Sequence, residues 1–424
     1  MEEDDEGEWT VWTGEEDIDD LEDVRRLRFA PNVTSIGGER SFGACTQLRE
    51  VDLCNVTEIG RDAFMWCDKL AAVDLSKVTA IGERSFLGCS SLKSISIPPG
   101  VAEISRFAFA RCRALIAVEL CDGLERVEDY AFEQCSSLEH INIPSTVVAL
   151  GGGVFKGCSS LVSVDLPEGL EVIAKYTFSS CTSLQHIEIP STIVELGSYA
   201  FDGCSSLACI GLPEGLKSIG EGAFQGCTSL ETIKIPSTAS NVESFAFEGC
   251  SSLISVDLAE GLEAIGVFAF NRCTSLERIK IPSSLVELGN WAFKGCSSLR
   301  NLELNGGGIV AFGKDVFDNC SSLESVSVPS SPSFVVSYGA DDALECRLLQ
   351  EGALISPESL LQIVSKCVKY MSVDQLTEAQ GKIDNILGQV QQTKEQRLER
   401  IRLLFDYYSS RIRRSSSSPF GRPT

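Results

Sequence analysis

The sequence is short of histidine, of basic residues and of long apolar segments. Only two His occur among 424 residues, which removes most of the usual general bases and metal ligands. No apolar run approaches the roughly 18 residues that a membrane-spanning helix needs. The first six residues lack the basic and apolar regions of a secretory signal, so we expect a cytoplasmic protein in a reducing compartment.

Acidic residues dominate the charge of the chain. The 36 Lys and Arg stand against 60 Asp and Glu, and the formal net charge is −24. This excess repels nucleic acid and anionic membranes, so we expect neither as a partner, and it favours basic partners. A hydrophobic content of 43% nevertheless provides for a large core and excludes a wholly disordered chain.

A motif of Phe-x-x-Cys-x-x-Leu recurs through the middle of the chain. Its Cys residues are spaced by 22 to 24 residues, each with a Phe three residues before it and a Leu three residues after it. A fixed period of this length predicts a solenoid, in which each unit buries its apolar face against its neighbours. The repeat cysteines are Cys45, Cys67, Cys89, Cys112, Cys135, Cys158, Cys181, Cys204, Cys227, Cys250, Cys273, Cys296 and Cys320.

Each unit combines a strand with a tight turn. In residues 184–190 the apolar positions at Ile187 and Ile189 alternate as in a strand, so the residue between them is expected to face outward. Residues 200–204 are too few for more than one helical or 3-10 turn, which would bring Phe201 and Cys204 inward. A half-unit at residues 24–29 adds a starting strand, which gives an expected total of 14 strands.

The unit C-S-S-L-x-x-I-x-I-P-x-x-V-x-x-I-G-x-x-A-F-x-x-C resembles the BspA-type leucine-rich repeat. It occurs nearly unchanged in residues 135–158 and 181–204, and the resemblance covers about residues 24–336 in thirteen copies. It implies an α/β fold: a right-handed, curved leucine-rich-repeat solenoid with a parallel concave β-sheet of about 14 strands and short helical or 3-10 turns. The resemblance also implies adhesion or protein binding, often at the cell surfaces of bacteria and protists.

Two helical patterns follow the repeat. Ser356-Pro357-Glu358 is typical of a helix start, and an apolar stripe continues to about residue 371. Residues 373–413 carry apolar residues at sevenfold spacing, as in a coiled coil, and are the candidate element for a homo-oligomer. The predicted domains are an acidic disordered tail (1–23), the solenoid (24–336), a linker (337–355), a C-terminal helical cap (356–414) and a disordered Ser/Arg tail (415–424).

A second period of 46 residues is layered on the first. Between about residues 135 and 300, units that contain Ile-Pro-Ser alternate with units that contain Glu-Gly-Leu. The alternation reflects either recent tandem duplication or the presentation of alternate surfaces to a repetitive ligand.

The repeat cysteines do not form a metal or redox motif. The sequence has no C-x-x-C pair, and each repeat Cys accompanies an inward Phe, so a ladder of small buried thiols is predicted. Because their number is odd and the compartment is expected to be reducing, we expect free thiols. Cys209 occupies the outward third position of its strand and is predicted to be the most exposed thiol.

No catalytic constellation stands out, and we predict no enzyme activity, cofactor or metal. His140 and His186 share one outward position two units apart, about 10 Å, which is too far for one metal ion. The glycine runs at 151–153 and 306–308 lack the context of phosphate loops and are interpreted as turns. No strand–turn–helix elbow surrounds any of the serines.

The outward face of the strands is the most informative surface. Acids crowd the fifth position in the first seven units, whereas Lys appears there only later. This column either keeps the sheet solvated or forms an acidic cradle for a basic segment of a protein partner. A non-enzymatic interaction scaffold is therefore the first hypothesis, and a structural protein that self-assembles through residues 373–413 is the alternative. The predicted binding residues are Asp52, Asp74, Glu119, His140, Asp165, His186, Glu188, Lys234, Asp257, Arg278 and Lys280.

Overall fold

The computed structural model describes the repeat region and a short segment before it. The described residues are 8–14, 21–38, 41–43, 45–304, 310–323, 325–327 and 335–337. The predictions on the linker, the helical cap, the oligomerising segment and the Ser/Arg tail lie outside the described residues.

The first strands of successive turns form ladder A, in which most neighbours pair in parallel, although no strand pairing joins Ala117–Leu120 to His140–Asn142. In His140–Asn142 the middle residue is buried while its neighbours are exposed, so the third and fifth positions of the repeat face outward as predicted. Two turns contribute only a single bridge, at Ala72 and Cys209. The strands of ladder A are Thr10–Trp12, Arg26–Phe29, Glu50–Asp52, Ser94–Ile97, Ala117–Leu120, His140–Asn142, Ser163–Asp165, His186–Ile187, Thr232–Ile235, Ser255–Leu258, Arg278–Ile281, Asn301–Leu304 and Ser325–Ser327.

A second strand in each turn, mostly two residues long, forms ladder B. Its inward residue is apolar, as in Glu195–Leu196, where the Leu is buried and the Glu is exposed. Both ladders therefore contribute apolar side chains to one interior, and the protein is a parallel β-solenoid. The strands of ladder B are Ser35–Ile36, Glu58–Ile59, Ala80–Ile81, Glu103–Ile104, Arg126–Val127, Ala149–Leu150, Val172–Ile173, Glu195–Leu196, Ser218–Ile219, Asn241–Val242, Ala264–Ile265, Glu287–Leu288, Val310–Phe312 and Val335–Ser337.

The Ala-Phe-x-x-Cys segment forms a succession of tight turns, and the prediction of a helical or 3-10 turn there is wrong. Tyr199 and Gly203 have φ angles of 58° and 71°, and left-handed residues cannot continue a right-handed helix. The backbone N–H groups of Tyr199, Phe201 and Gly203 instead donate to carbonyl oxygens of the next turn over 2.7–2.8 Å. These bonds form a third ladder, the turn ladder. Among the described residues the single helix is the 3-10 helix Leu21–Asp23.

The repeat Phe and Cys side chains fill the interior. The ring of Phe201 is fully buried and stacks between Phe178 and Phe224, with centroids 5.3 Å from each. The repeat cysteines from Cys45 to Cys296 are also buried, which confirms the inward placement of both columns. All 16 described cysteines are free thiols.

The strand Thr10–Trp12 closes the N-terminal end of the solenoid. Trp12 is 6% exposed and packs edge-on against Phe29 and Phe42, with ring centroids 5.6 and 5.2 Å away. This strand lies inside residues 1–23, the segment predicted to be a disordered tail, and it pairs with Arg26–Phe29. The ordered solenoid therefore begins before residue 24, because the rings of the first turns need an apolar cover.

The 46-residue alternation has a structural counterpart at the corner between ladders A and B. Glu168 accepts hydrogen bonds from the N–H and the hydroxyl of Ser191 in the next turn, at 3.3 and 3.0 Å. Equivalent bonds join Glu214 to Ser237 and Glu260 to Ser283. Each Glu-Gly-Leu unit is thus joined to the Ile-Pro-Ser unit that follows it.

Candidate interaction surface

All eleven predicted binding residues lie on the outward face of ladder A. Asp52 is half-buried and the other ten are exposed. Neighbouring turns are in register, so the fifth positions form one column, and the third positions form another beside it. The structure therefore brings these residues onto one face. The ion pairs and hydrogen bonds of the charged side chains divide that face into three parts along the solenoid.

The first part of the face is acidic in sequence but paired in the structure. The guanidinium of Arg28 donates to the carboxylate of Asp52 over 2.8 Å, and Arg26 binds Glu50 over 2.9 Å. The ring centroid of Trp9 lies 4.4 Å from the guanidinium of Arg26 and 4.5 Å from that of Arg28. Sequence reasoning missed both arginines because they precede the first complete repeat, although their register in the starting half-unit places them in the same columns.

Asp74 is also engaged within the chain. Its carboxylate accepts the backbone N–H of Ser76 over 2.9 Å. This bond, the main cause, holds the pKa of Asp74 below its usual value. Asp74 therefore stays ionised, with part of its accepting capacity already used by its own loop.

The acidic character of the face persists in its middle turns. Glu119, Asp165 and Glu188, here called the middle acidic patch, are exposed on the fifth-position column. Within the described residues Glu119 and Glu188 have no ion-pair partner, and Asp165 has only His140, whose Nε2 lies 3.4 Å from its carboxylate. This patch therefore presents carboxylates that are open to an outside cation.

The two histidines flank this patch without meeting each other. Ser163 pairs with His140 on one side and with His186 on the other, so the histidines lie two turns apart, as predicted. The Nδ1 of His140 lies 2.9 Å from the hydroxyl of Ser163. No group of three His, Cys, Asp or Glu side chains among the described residues could hold a metal ion. Cys209, the next residue in this column, is exposed as predicted.

The last part of the face alternates in charge. Lys234 pairs in register with Asp257, and Lys280 pairs with Glu303. Lys234 also donates to Glu214 over 2.8 Å. Opposite charges on neighbouring strands stabilise the sheet and leave little net field. Of the predicted residues, those beyond Cys209 therefore form a balanced surface rather than an acidic one.

A second ordered surface, missed by sequence reasoning, lies along the turn ladder. In seven turns the residue two positions before the buried Phe is a half-buried aromatic in the left-handed conformation, with φ between 55° and 61°. The signal was present in the sequence as aromatic-Ala-Phe or aromatic-Thr-Phe within the repeat. The seven residues are Phe107, Tyr130, Tyr176, Tyr199, Phe245, Phe268 and Trp291.

No helix among the described residues is long and apolar enough to cross a membrane.

Comparisons with known proteins identify the same type of repeat that the sequence pattern indicates. The family description "BspA type leucine rich repeat region" matches residues 20–139, 125–254 and 240–373, in six copies. The crystal structure of a leucine-rich repeat protein from Bacteroides ovatus is 30% identical, with a TM-score of 0.54 over 72% of this chain and 79% of that one. A leucine rich cell surface protein from Faecalibacterium prausnitzii is 26% identical, with a TM-score of 0.43 over 67% of this chain and 80% of that one. No curated protein matches the sequence. Because the family description matches far more than half of the residues, the chain belongs to the BspA-type leucine-rich repeat family.

Proposed function

We propose that the protein is a non-enzymatic interaction scaffold that binds a basic segment of a partner protein through ladder A. Leucine-rich repeat proteins generally mediate protein–protein interaction or surface binding, and this family generally consists of non-enzymatic scaffolds. The observation that carries the proposal is the middle acidic patch. Three exposed carboxylates stand there at the fifth position of their turns, whereas Asp52 before them is paired with Arg28 and Lys234 appears in the same column after them.

The charge distribution supports a basic partner over a neutral one. Like charges on one column cost stability, and the chain relieves that cost at Asp52 by an ion pair with Arg28, while in the later turns Lys234 stands opposite Asp257 in the strand register. Within the part of the chain that the structure describes, Glu119 and Glu188 have no such ion-pair partner. A basic partner segment would supply it, and the attraction would raise the association rate in a salt-dependent way.

The test compares two variants of the full chain with the same change in net charge. Glu119, Asp165 and Glu188 are all changed to Lys in the patch variant. Glu195, Glu263 and Glu287, which are exposed on the ladder B side, are changed to Lys in the control variant. Each chain is immobilised and exposed to an extract of the cells that produce the protein, and captured proteins are quantified by mass spectrometry.

The proposal expects a protein that the wild type and the control variant capture and the patch variant loses. Its retention should also fall as salt rises, because exposed charges are screened. Equal capture by the patch variant would place the binding surface elsewhere on the molecule.

We also propose that the protein is located in a reducing compartment, where its cysteines would remain free thiols. The 16 described thiols are free, although consecutive turns of the buried column lie close together. This location and the identity of the partner can be tested separately.

A further inference from the structure

The aromatic column on the turn ladder is interrupted twice by glycine. Tyr130 stacks on Phe107 and Tyr176 stacks on Tyr199, but Gly153 occupies the turn between Tyr130 and Tyr176. Three units later the pattern returns, with Gly222 between Tyr199 and Phe245, while Phe245 stacks on Phe268. At each glycine, the two flanking rings therefore have faces that no neighbouring ring of the column covers.

The two gaps have the same geometry. A Cβ at Gly153 would lie 2.4 Å from the ring of Tyr130, and a Cβ at Gly222 would lie 2.4 Å from the ring of Tyr199. Both glycines also have left-handed φ angles, 62° and 57°. Only glycine allows the preceding ring to lie over the backbone at this position. The gaps are thus maintained by the same structural requirement.

The chain itself shows which chemistry the first gap accepts. The ammonium of Lys156 lies 6.0 Å from the ring centroid of Tyr130 and 5.4 Å from that of Tyr176. It is also 3.9 Å from the carboxylate of Glu133. A cation over two ring faces and beside a carboxylate is stabilised by the ring quadrupoles and by the opposite charge.

The second gap has the flanking rings and acidic side chains, but the described residues supply no cation there. The residue that corresponds to Lys156 is Gln225, and among the described residues no Lys or Arg lies over Tyr199 or Phe245. Gln225 donates to Glu248 over 2.8 Å, and the hydroxyl of Tyr199 donates to Glu221 over 3.0 Å. Burial and the bond to Glu221 raise the pKa of Tyr199 to about 12, which keeps its ring neutral. The second gap is therefore aromatic and acidic, and the described residues place no internal cation in it.

We propose that the gap at Gly222 is a receptor for a lysine side chain of a partner protein. The ammonium would lie between the rings of Tyr199 and Phe245, as Lys156 lies between Tyr130 and Tyr176. Glu221 and Glu248 would balance its charge. This surface lies on the turn ladder, so the proposal does not depend on binding at ladder A.

The test uses the full chain with labelled Tyr and Phe rings and a small probe, Nα-acetyl-lysine methylamide. Ring resonances are followed by NMR during titration at constant ionic strength. The proposal expects saturable shifts at Tyr199 and Phe245 with a millimolar dissociation constant, and no such shifts at Tyr130 and Tyr176. The neutral analogue Nα-acetyl-norleucine methylamide should produce no saturable shift at either gap.

Reciprocal substitutions distinguish specific binding of a cation from nonspecific binding to an aromatic surface. Gln225→Lys places a tethered ammonium in the second gap and should weaken probe binding at least about tenfold, because the site is then filled as the first gap is. Gln225→Met has a similar length without charge and should retain binding. Lys156→Gln should open the first gap and add saturable shifts at Tyr130 and Tyr176.

Three results would overturn the proposal. One is the absence of saturable shifts at Tyr199 and Phe245 in the wild-type chain. Another is equal binding of the norleucine analogue. The third is unchanged probe binding after Gln225→Lys in a chain whose circular dichroism and melting temperature match the wild type.

Discussion

The thiol of Cys204 donates a hydrogen bond to the carbonyl oxygen of Phe178, which lies 3.2 Å away in the preceding turn. The same oxygen accepts the backbone N–H of Cys181 over 3.1 Å, so two successive cysteines share each Phe carbonyl. The bond recurs along the column from Cys67 to Cys320 at 3.1–3.3 Å. The repeat cysteine therefore joins neighbouring turns as well as filling the core.

The buried thiols make stability depend on pH. Burial raises the pKa of Cys112, Cys158 and Cys250 from 9.0 to about 12. Above pH 9.0 the unfolded chain releases these protons while the folded chain retains them. Their contribution is thus complete below that pH and is lost as pH rises toward about 12. We expect the urea midpoint of unfolding to fall between about pH 8 and about pH 10.

A single-site variant isolates this effect. Cys158→Ala removes one titrating thiol and should reduce the pH dependence by up to about 1.4 kcal/mol per pH unit above the unfolded pKa. Cys209→Ala, which removes an exposed thiol, is the control for the loss of a cysteine as such. Equal pH profiles for the wild type and Cys158→Ala would contradict the buried thiol column.

Thiol reactivity should follow exposure. Cys209 is exposed, and the repeat cysteines from Cys45 to Cys296 are buried. In the native protein we expect a thiol reagent to modify few cysteines, with Cys209→Ser removing one fast-reacting thiol. Denaturation should release nearly all 18. Several disulfides in protein isolated without reductant, detected by mass spectrometry, would contradict both the free thiols and the proposed reducing compartment.

The stacked Phe column should dominate stability. Phe201→Ala removes a fully buried ring from between two others, and the resulting cavity should cost about 3–5 kcal/mol. Glu188→Ala changes an exposed side chain nearby and should cost less than about 0.5 kcal/mol. Chemical denaturation measures both, and equal shifts of the midpoint would mean that the inward and outward assignments are wrong.

The Glu–Ser bonds should couple turns in pairs. A double-mutant cycle with Glu168→Gln and Ser191→Ala should give a coupling free energy of about 0.5–1 kcal/mol, since the pair is exposed. Ser145→Ala is the matched control, because no side-chain hydrogen bond joins Ser145 to the preceding turn in the described residues. A coupling free energy near zero would mean that the 46-residue alternation reflects tandem duplication and does not stabilise pairs of turns.

Much of the solenoid could be predicted because its repeat is strict. The alternation of apolar residues predicted which side of each strand faces inward, and the Phe-x-x-Cys spacing predicted that Phe201 and Cys204 are buried, as the structure confirms. The exposure of Cys209 followed from the same alternation. Where the local pattern repeats in every turn, stacking leaves one register that buries every apolar position.

The features that the sequence did not predict depend on pairing between distant residues or on backbone conformation. The contact between Arg28 and Asp52 joins a half-unit to the first repeat, and the motif did not mark that half-unit as part of the charged face. The left-handed backbone at Tyr199 replaces the predicted helical turn, because hydrogen bonds to the next turn stabilise a conformation that local propensity disfavours. The aromatic column that results was consequently not anticipated.

Zero-length cross-linking of the captured complex shows which carboxylates of the solenoid contact the partner. A carbodiimide joins a carboxylate to a lysine amine only when the two groups are in contact, so each linked peptide identifies a carboxylate at the interface. We expect links from partner lysines to Glu119, Asp165 and Glu188, and their loss at high salt. Links confined to Glu195, Glu263 and Glu287 on the ladder B side would contradict the assignment of ladder A as the binding face.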